Sequence, residues 1–72
     1  MSISNTIKSL LSLRGLRQSD LMEPLDMGSK QSLSNKFANE RWSADDLVKV
    51  AEACGCELAF ISPDGQVIKV KE

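Results

Sequence analysis

The chain has no histidine, and its two cysteines, Cys54 and Cys56, stand one residue apart. Without histidine, the commonest general acid–base and the commonest metal ligand are both missing. Cys-Gly-Cys by itself leaves a four-ligand zinc site incomplete. Nothing nearby would draw a thiol pKa down, because the neighbouring charges are Glu52 and Glu57. Core packing is the expected use of both sulfurs. No nucleophile–base pair stands out, and 72 residues leave little room for a substrate pocket. Neither an enzyme nor a metal or cofactor site is expected.

Long apolar runs are missing too. None approaches the ~18 residues of a membrane span. The opening Met-Ser-Ile-Ser-Asn has no basic stretch and no small-residue cleavage site. The expectation is a cytoplasmic protein without membrane contact. Charge of one sign is also lacking, with a net value of −1. Its distribution is uneven. Lys8, Arg14 and Arg17 make residues 1–17 purely basic, whereas Asp20, Glu23 and Asp26 make 18–27 purely acidic. Lys30, Lys36 and Arg41 outweigh Glu40 in 28–42, and acids outnumber lysines after residue 42. A basic face can therefore stand against an acidic back.

What is present is periodicity. Seventy-two residues make one small domain, which buries only about 60% of its unfolded surface, so a partner subunit would help it. Ile3, Ile7, Leu10, Leu11 and Arg14 share one face of a first helix, about Ile3 to Arg14, capped by Ser2 or Ser4. A second helix is expected from Gln18 to Leu25, short or distorted because Pro24 has no N–H and crowds the carbonyl of Asp20. A third starts after the N-cap Ser29, carries Leu33 and Phe37 inward, and ends near Ala38 or Asn39. A fourth has Ser43 as N-cap, Asp46 as its capping-box partner, and Trp42 with Leu47 as a hydrophobic staple. Leu47, Val50, Ala51 and Cys54 form its apolar stripe. Gly15, Gly28, Gly55 and Gly65 fall between these runs, where helix ends and turns need them.

After Gly55 the period becomes strand-like. Glu57 to Ser62 and Gln66 to Lys71 flank Pro63-Asp64-Gly65, a three-residue hairpin loop. The implied register pairs Ile61 with Val67, Phe60 with Ile68, Ala59 with Lys69 and Leu58 with Val70. Leu58, Phe60, Ile68 and Val70 then share one face, expected to cover the helical core. The other face, Ala59, Ile61 and Val67, is apolar enough to seek a second subunit. The outer face of the third helix carries Lys30, Gln31, Ser32, Asn35, Lys36 and Asn39, with two cations and no acid. Such a face can lie in a DNA major groove.

In Gln18 to Leu21, in Ser-Lys-Gln-Ser-Leu-Ser-Asn-Lys-Phe from Ser29, and in Ser43 to Gly55, the chain resembles the phage Cro/repressor-type helix-turn-helix DNA-binding family over about residues 3–56. The resemblance implies a mostly α fold: a four-helix, lambda-repressor-like helix-turn-helix DNA-binding domain over 1–56. A C-terminal β-hairpin over 57–72 belongs to the same domain and stands where many members have a fifth helix. It implies base contacts from Gln31, Ser32 and Asn35, with Lys30 and Lys36 reaching bases or backbone. It implies a phosphate contact from Gln18. Arg17 could also reach a phosphate. Lys36, Asn39 and Arg41 are assigned to phosphate as well, and Ala59, Ile61 and Val67 to the dimer. Three departures mark the chain: Arg17 where a threonine cap is usual, Met22 where an alanine is usual, and Asp26 in a longer turn where a glycine is usual. The expected function is transcriptional regulation through double-stranded DNA by a homodimer. This would be a phage-like Cro or repressor, or an antitoxin whose further partner is a toxin protein. The competing expectation is a protein-interaction module that keeps the fold without binding DNA.

Overall fold

Ser2 starts the first helix. Its hydroxyl accepts from the Asn5 N–H at 3.2 Å, one of the donors that a helix leaves unpaired at its N-terminus. In the computed structural model, which describes residues 2–70, α1 runs Ile3–Leu13, α2 Lys30–Asn39 and α3 Ala44–Ala53. A 3₁₀ helix, Gln18–Leu21, stands between α1 and α2. The strands β1 (Ala59–Ile61) and β2 (Val67–Lys69) follow α3. The fold is mostly α with a two-stranded antiparallel hairpin.

The expected second α-helix is absent as such. Gln18–Leu21 is a four-residue 3₁₀ helix, followed by one α-type bond from the Leu25 N–H to the Leu21 carbonyl at 3.0 Å. Two residues explain the difference. Arg17 has no acceptor to cap with, and Pro24 has no N–H to continue the ladder. The Asp20 carboxylate does accept from the Arg17 N–H at 2.8 Å, which is half of a capping box. Leu21 and Leu25 are nevertheless buried, so the apolar pair reaches the core without a regular helix beneath it.

Four segments close with the same lock. The residue after the last turn adopts left-handed φ, and the next N–H reaches back five residues. Leu16 bonds to Leu11, Met27 to Met22, Arg41 to Lys36 and Cys56 to Ala51, at 2.8, 2.8, 3.2 and 2.8 Å. Glycine supplies the left-handed residue at Gly15 and Gly55, but Asp26 and Glu40 supply it at the other two, with φ of 54° and 55°. Gly28 keeps an ordinary φ, so the expectation that it provides the turn before α2 is corrected: Asp26 does.

Ile7, Leu11, Leu21, Leu25, Leu33, Phe37, Val50 and Cys54 form the core. Trp42 packs edge-on against Phe37, with ring centroids 4.9 Å apart, and Leu47 joins the core's margin as the staple requires. Both halves of the Ser43–Asp46 capping box form, at 3.0 and 3.1 Å. Inside this core lies one polar side chain, Ser4, only 4% exposed. Its hydroxyl donates to the Phe37 carbonyl at 2.6 Å and accepts from Trp42 Nε1 at 3.0 Å. At the far end of α1, Arg14 Nε donates to the Cys54 carbonyl at 2.9 Å.

The hairpin has the expected register, Ala59 opposite Lys69, Phe60 opposite Ile68 and Ile61 opposite Val67. Pairing extends to a bond of 2.7 Å from the Val70 N–H to the Leu58 carbonyl. Gly65, at φ 89°, closes the loop. Both strands are shorter than expected, and Lys71 lies outside the described residues. Phe60 and Ile68 do not cover the core. They are 70% and 62% exposed, and only Leu58 and Val70 at the base are half-buried. The hairpin meets the helices at its base, where Leu58 lines an apolar depression with Leu10, Leu47 and Val50.

The Ser4→Ala variant would strand the Trp42 N–H and the Phe37 carbonyl without a partner. It should cost about 1–3 kcal/mol, read as a lowered urea midpoint at unchanged slope. The Glu40 carboxylate accepts from the Ser2 hydroxyl and from the N–H groups of Ile3 and Ser4 at 3.0 and 3.2 Å. The Ser2 hydrogen bond, ahead of the opposing cost of burial, holds its pKa below the ordinary glutamate value. A lowered folded-state pKa gives stability that is present above the unfolded value and is lost as pH falls through the folded one. The stability difference between wild type and Glu40→Gln should therefore be full at neutral pH and shrink through the carboxylate range, as measured by denaturation across pH.

Candidate nucleic-acid interface

Ser29 opens α2 by accepting from the Ser32 N–H at 3.2 Å, and its hydroxyl also meets the Ser32 hydroxyl at 3.1 Å. Leu33 and Phe37 turn inward and are buried. The four-residue spacing that buries them leaves Lys30, Gln31, Ser32, Ser34 and Asn35 exposed on the other side. Within α2 itself there is no acid. Gln31 Nε2 donates to Asn35 Oδ1 at 3.1 Å, one turn along the ridge.

Most of the expected contact residues line two depressions, and Gln31 and Arg17 line neither. Ser32, Asn35, Lys36, Asn39 and Arg41 line one of about 470 Å³. Gln18 and Lys30 meet in another of about 260 Å³, beside Ser19, Leu33 and Ser34. Arg17 is exposed just before Gln18. Lys8, counted in the basic block but given no role, shares a third depression with Gln18, of about 310 Å³, and its ammonium lies 5.8 Å over the Phe37 ring. Its signal in the sequence was the acid-free stretch 1–17.

Lys36 behaves differently from its neighbours. Its ammonium donates to Asp46 Oδ2 at 2.6 Å and to the Arg41 carbonyl at 2.8 Å, and it lies 5.5 Å from the centre of the Trp42 ring. Less than a fifth of either side chain of the pair is exposed. While this arrangement holds, Lys36 joins α2 to the start of α3 and is not free to reach a phosphate. Burial pushes the Asp46 carboxyl up, but hydrogen bonds from Lys36 and Ser43 outweigh it and leave it below the ordinary aspartate value.

The three residues assigned to a dimer lie on the hairpin. Ile61 and Val67 are 74% and 57% exposed, and Ala59 is half-buried. The cysteines are free. Burial raises the Cys54 pKa, with the Cys56 thiol adding to it. No group of three or more potential metal ligands occurs among the described residues. No helix there is long and apolar enough to cross a membrane.

Lys36→Met should lower stability by on the order of 1–3 kcal/mol, because it leaves a mostly buried carboxylate short of one partner. Lys30→Met, on the exposed ridge, should stay within about 0.5 kcal/mol of wild type. Equal midpoints for the two variants in chemical denaturation would contradict the structural role of Lys36. Compared with known proteins, the chain matches no family model, no curated protein and no solved structure.

Proposed function

We propose that this chain is a sequence-specific DNA-binding transcriptional regulator of the cytoplasm, acting as a homodimer with α2 in the major groove. The observation that carries the reading is the outer ridge of α2. Lys30, Gln31, Ser32 and Asn35 are exposed on an acid-free helix whose opposite face is anchored by Leu33 and Phe37. An α-helix about 10–12 Å across fits a groove about 12 Å wide, and the ten residues of α2 would meet base edges there with amides and hydroxyls. Arg17, Gln18, Asn39 and Arg41 flank it and would contact phosphates. A resemblance to the Cro/repressor helix-turn-helix pattern supports the same reading, with a phage-type repressor or an antitoxin as its forms.

The exposed apolar hairpin supports the homodimer. Two copies joined there would bring their α2 helices to half-sites about 34 Å apart. The same hairpin favours a second reading, a protein-interaction module that does not bind DNA, because its apolar side chains would serve any protein partner.

Selection from a random double-stranded DNA pool separates the two. Enrichment of a palindrome supports the regulator, and recovery of no preferred sequence at low salt overturns it. On the selected operator, Arg17→Gln and Arg41→Gln should each flatten the slope of log K against log salt by about 0.9 and weaken all sequences alike. Filter-binding titrations over a range of salt would check this.

A further inference from the structure

On the ridge of α2 the two amides are not independent. Gln31 Nε2 donates to Asn35 Oδ1 at 3.1 Å, which commits one of the two N–H bonds of Gln31 and one of the two acceptor sites of Asn35. The carbonyl oxygen of Gln31 and its second N–H stay open. So does the amide nitrogen of Asn35, with two donors. Of the neighbouring groups, Ser32 is engaged with Ser29 and Lys36 with Asp46 and Arg41, while Lys30 stands exposed. The amide pair is a joined donor–acceptor array on this face.

Because the two amides are bonded to each other, the base edges they can reach lie side by side in the groove. A glutamine that accepts with Oε1 and donates with the remaining N–H matches adenine, which offers N6–H₂ and N7 side by side in the major groove. The free donors of Asn35 match an acceptor on the next pair, such as guanine O6 or N7 or thymine O4.

Building on the DNA-binding reading above, we infer that Gln31 and Asn35 form a single reading unit, in which Asn35 is the positioning residue for adenine recognition by Gln31 and donates to the adjacent base pair itself. Removing Asn35 then alters preference at two positions, because Gln31 loses the bond that sets its amide plane. A ridge of independent side chains would lose preference at one position per substitution.

Two measurements test this. In the free protein, the side-chain amide resonances of Gln31 should show a contact with Asn35 in heteronuclear NMR, and the shift of one Gln31 amide proton should move on Asn35→Ala. No change in Gln31 on that substitution overturns the unit. In selection from a random DNA pool, wild type should enrich a motif with adenine beside an acceptor-bearing base. Asn35→Ala and Gln31→Ala should each relax both of these positions, and the double variant should lose little more than either single one. Single variants that each relax only their own position, with effects that multiply in the double, overturn the inference and leave DNA binding standing. A wild-type protein that enriches no sequence overturns both. Thermal midpoints within a degree or two of wild type for both single variants exclude a merely structural cause.

Discussion

The helical part depends on one buried hydroxyl. Ser4 lies in the first turn of α1, yet its partners are the Phe37 carbonyl in the last turn of α2 and the Trp42 indole before α3. Phe37 has one of the four carbonyls that a helix leaves unpaired at its C-terminus. The N–H that might have reached it, that of Arg41, bonds to Lys36 instead. The hydroxyl thus satisfies a carbonyl and an indole that would otherwise be buried without partners. The same junction works in reverse through Glu40, which follows α2 and accepts from the unpaired N–H groups that begin α1. The end of one helix and the start of another complete each other. Glu40 holds a left-handed φ to do so. A glycine there would relax the backbone and remove the bonds that the Glu40 carboxylate accepts, so the conformation is held by the contacts that it makes possible.

This junction bears on the ridge of α2. A helix that reads base edges needs its side chains placed to within a fraction of an ångström, by elements that do not slide. The C-terminal half of α2 is pinned twice, to α1 through Ser4 and Glu40 and to α3 through Lys36 and Asp46. Its N-terminal half is fixed by the Ser29 cap and by Leu33 in the core. The segment before it is irregular, a 3₁₀ helix and turns ending in the left-handed Asp26. Yet Leu21 is fully buried there and Met22 and Met27 pack at its margin. Regularity of that segment is therefore not what orients α2; burial and capping are.

Much of this was legible in the sequence wherever a local rule acts alone. The caps at Ser29 and Ser43, the Asp46 box, the Trp42–Leu47 staple and the hairpin register each depend on residues within a few positions of one another. The longer second helix was not, because its apolar spacing of four is met equally by a 3₁₀ helix and one further turn. The left-handed sites were half legible: glycine signals them at 15 and 55, but Asp26 and Glu40 do so only through contacts elsewhere. Ser4 did leave a trace, since it lies three and seven residues before Ile7 and Leu11, on the apolar stripe, where a serine must find a partner. Its partners, more than thirty residues away, were beyond local rules. For the same reason Lys36 read as a free cation: the acid it meets is ten residues on.

The hairpin is the part of the molecule whose own contacts do not account for it. Two three-residue strands are marginal in water without a packed face, and here Phe60, Ile61, Val67 and Ile68 all stand largely exposed. What holds the strands together is local: the Pro63-Asp64-Gly65 loop, the ladder down to Leu58 and Val70, and the exposed Lys69–Glu57 pair at 2.9 Å. An exposed pair of this kind contributes at most about 1 kcal/mol. The helices do not need the hairpin tip, since their core closes with Val50 and Cys54, with Cys56 packed against it. Phe60, Ile61, Val67 and Ile68, already partly covered, each forgo only part of the roughly 1.5–3 kcal/mol that full burial contributes. The sequence places apolar residues on both faces of the strands where one polar face would have served a lone hairpin. A second surface laid over either face would recover part of that burial.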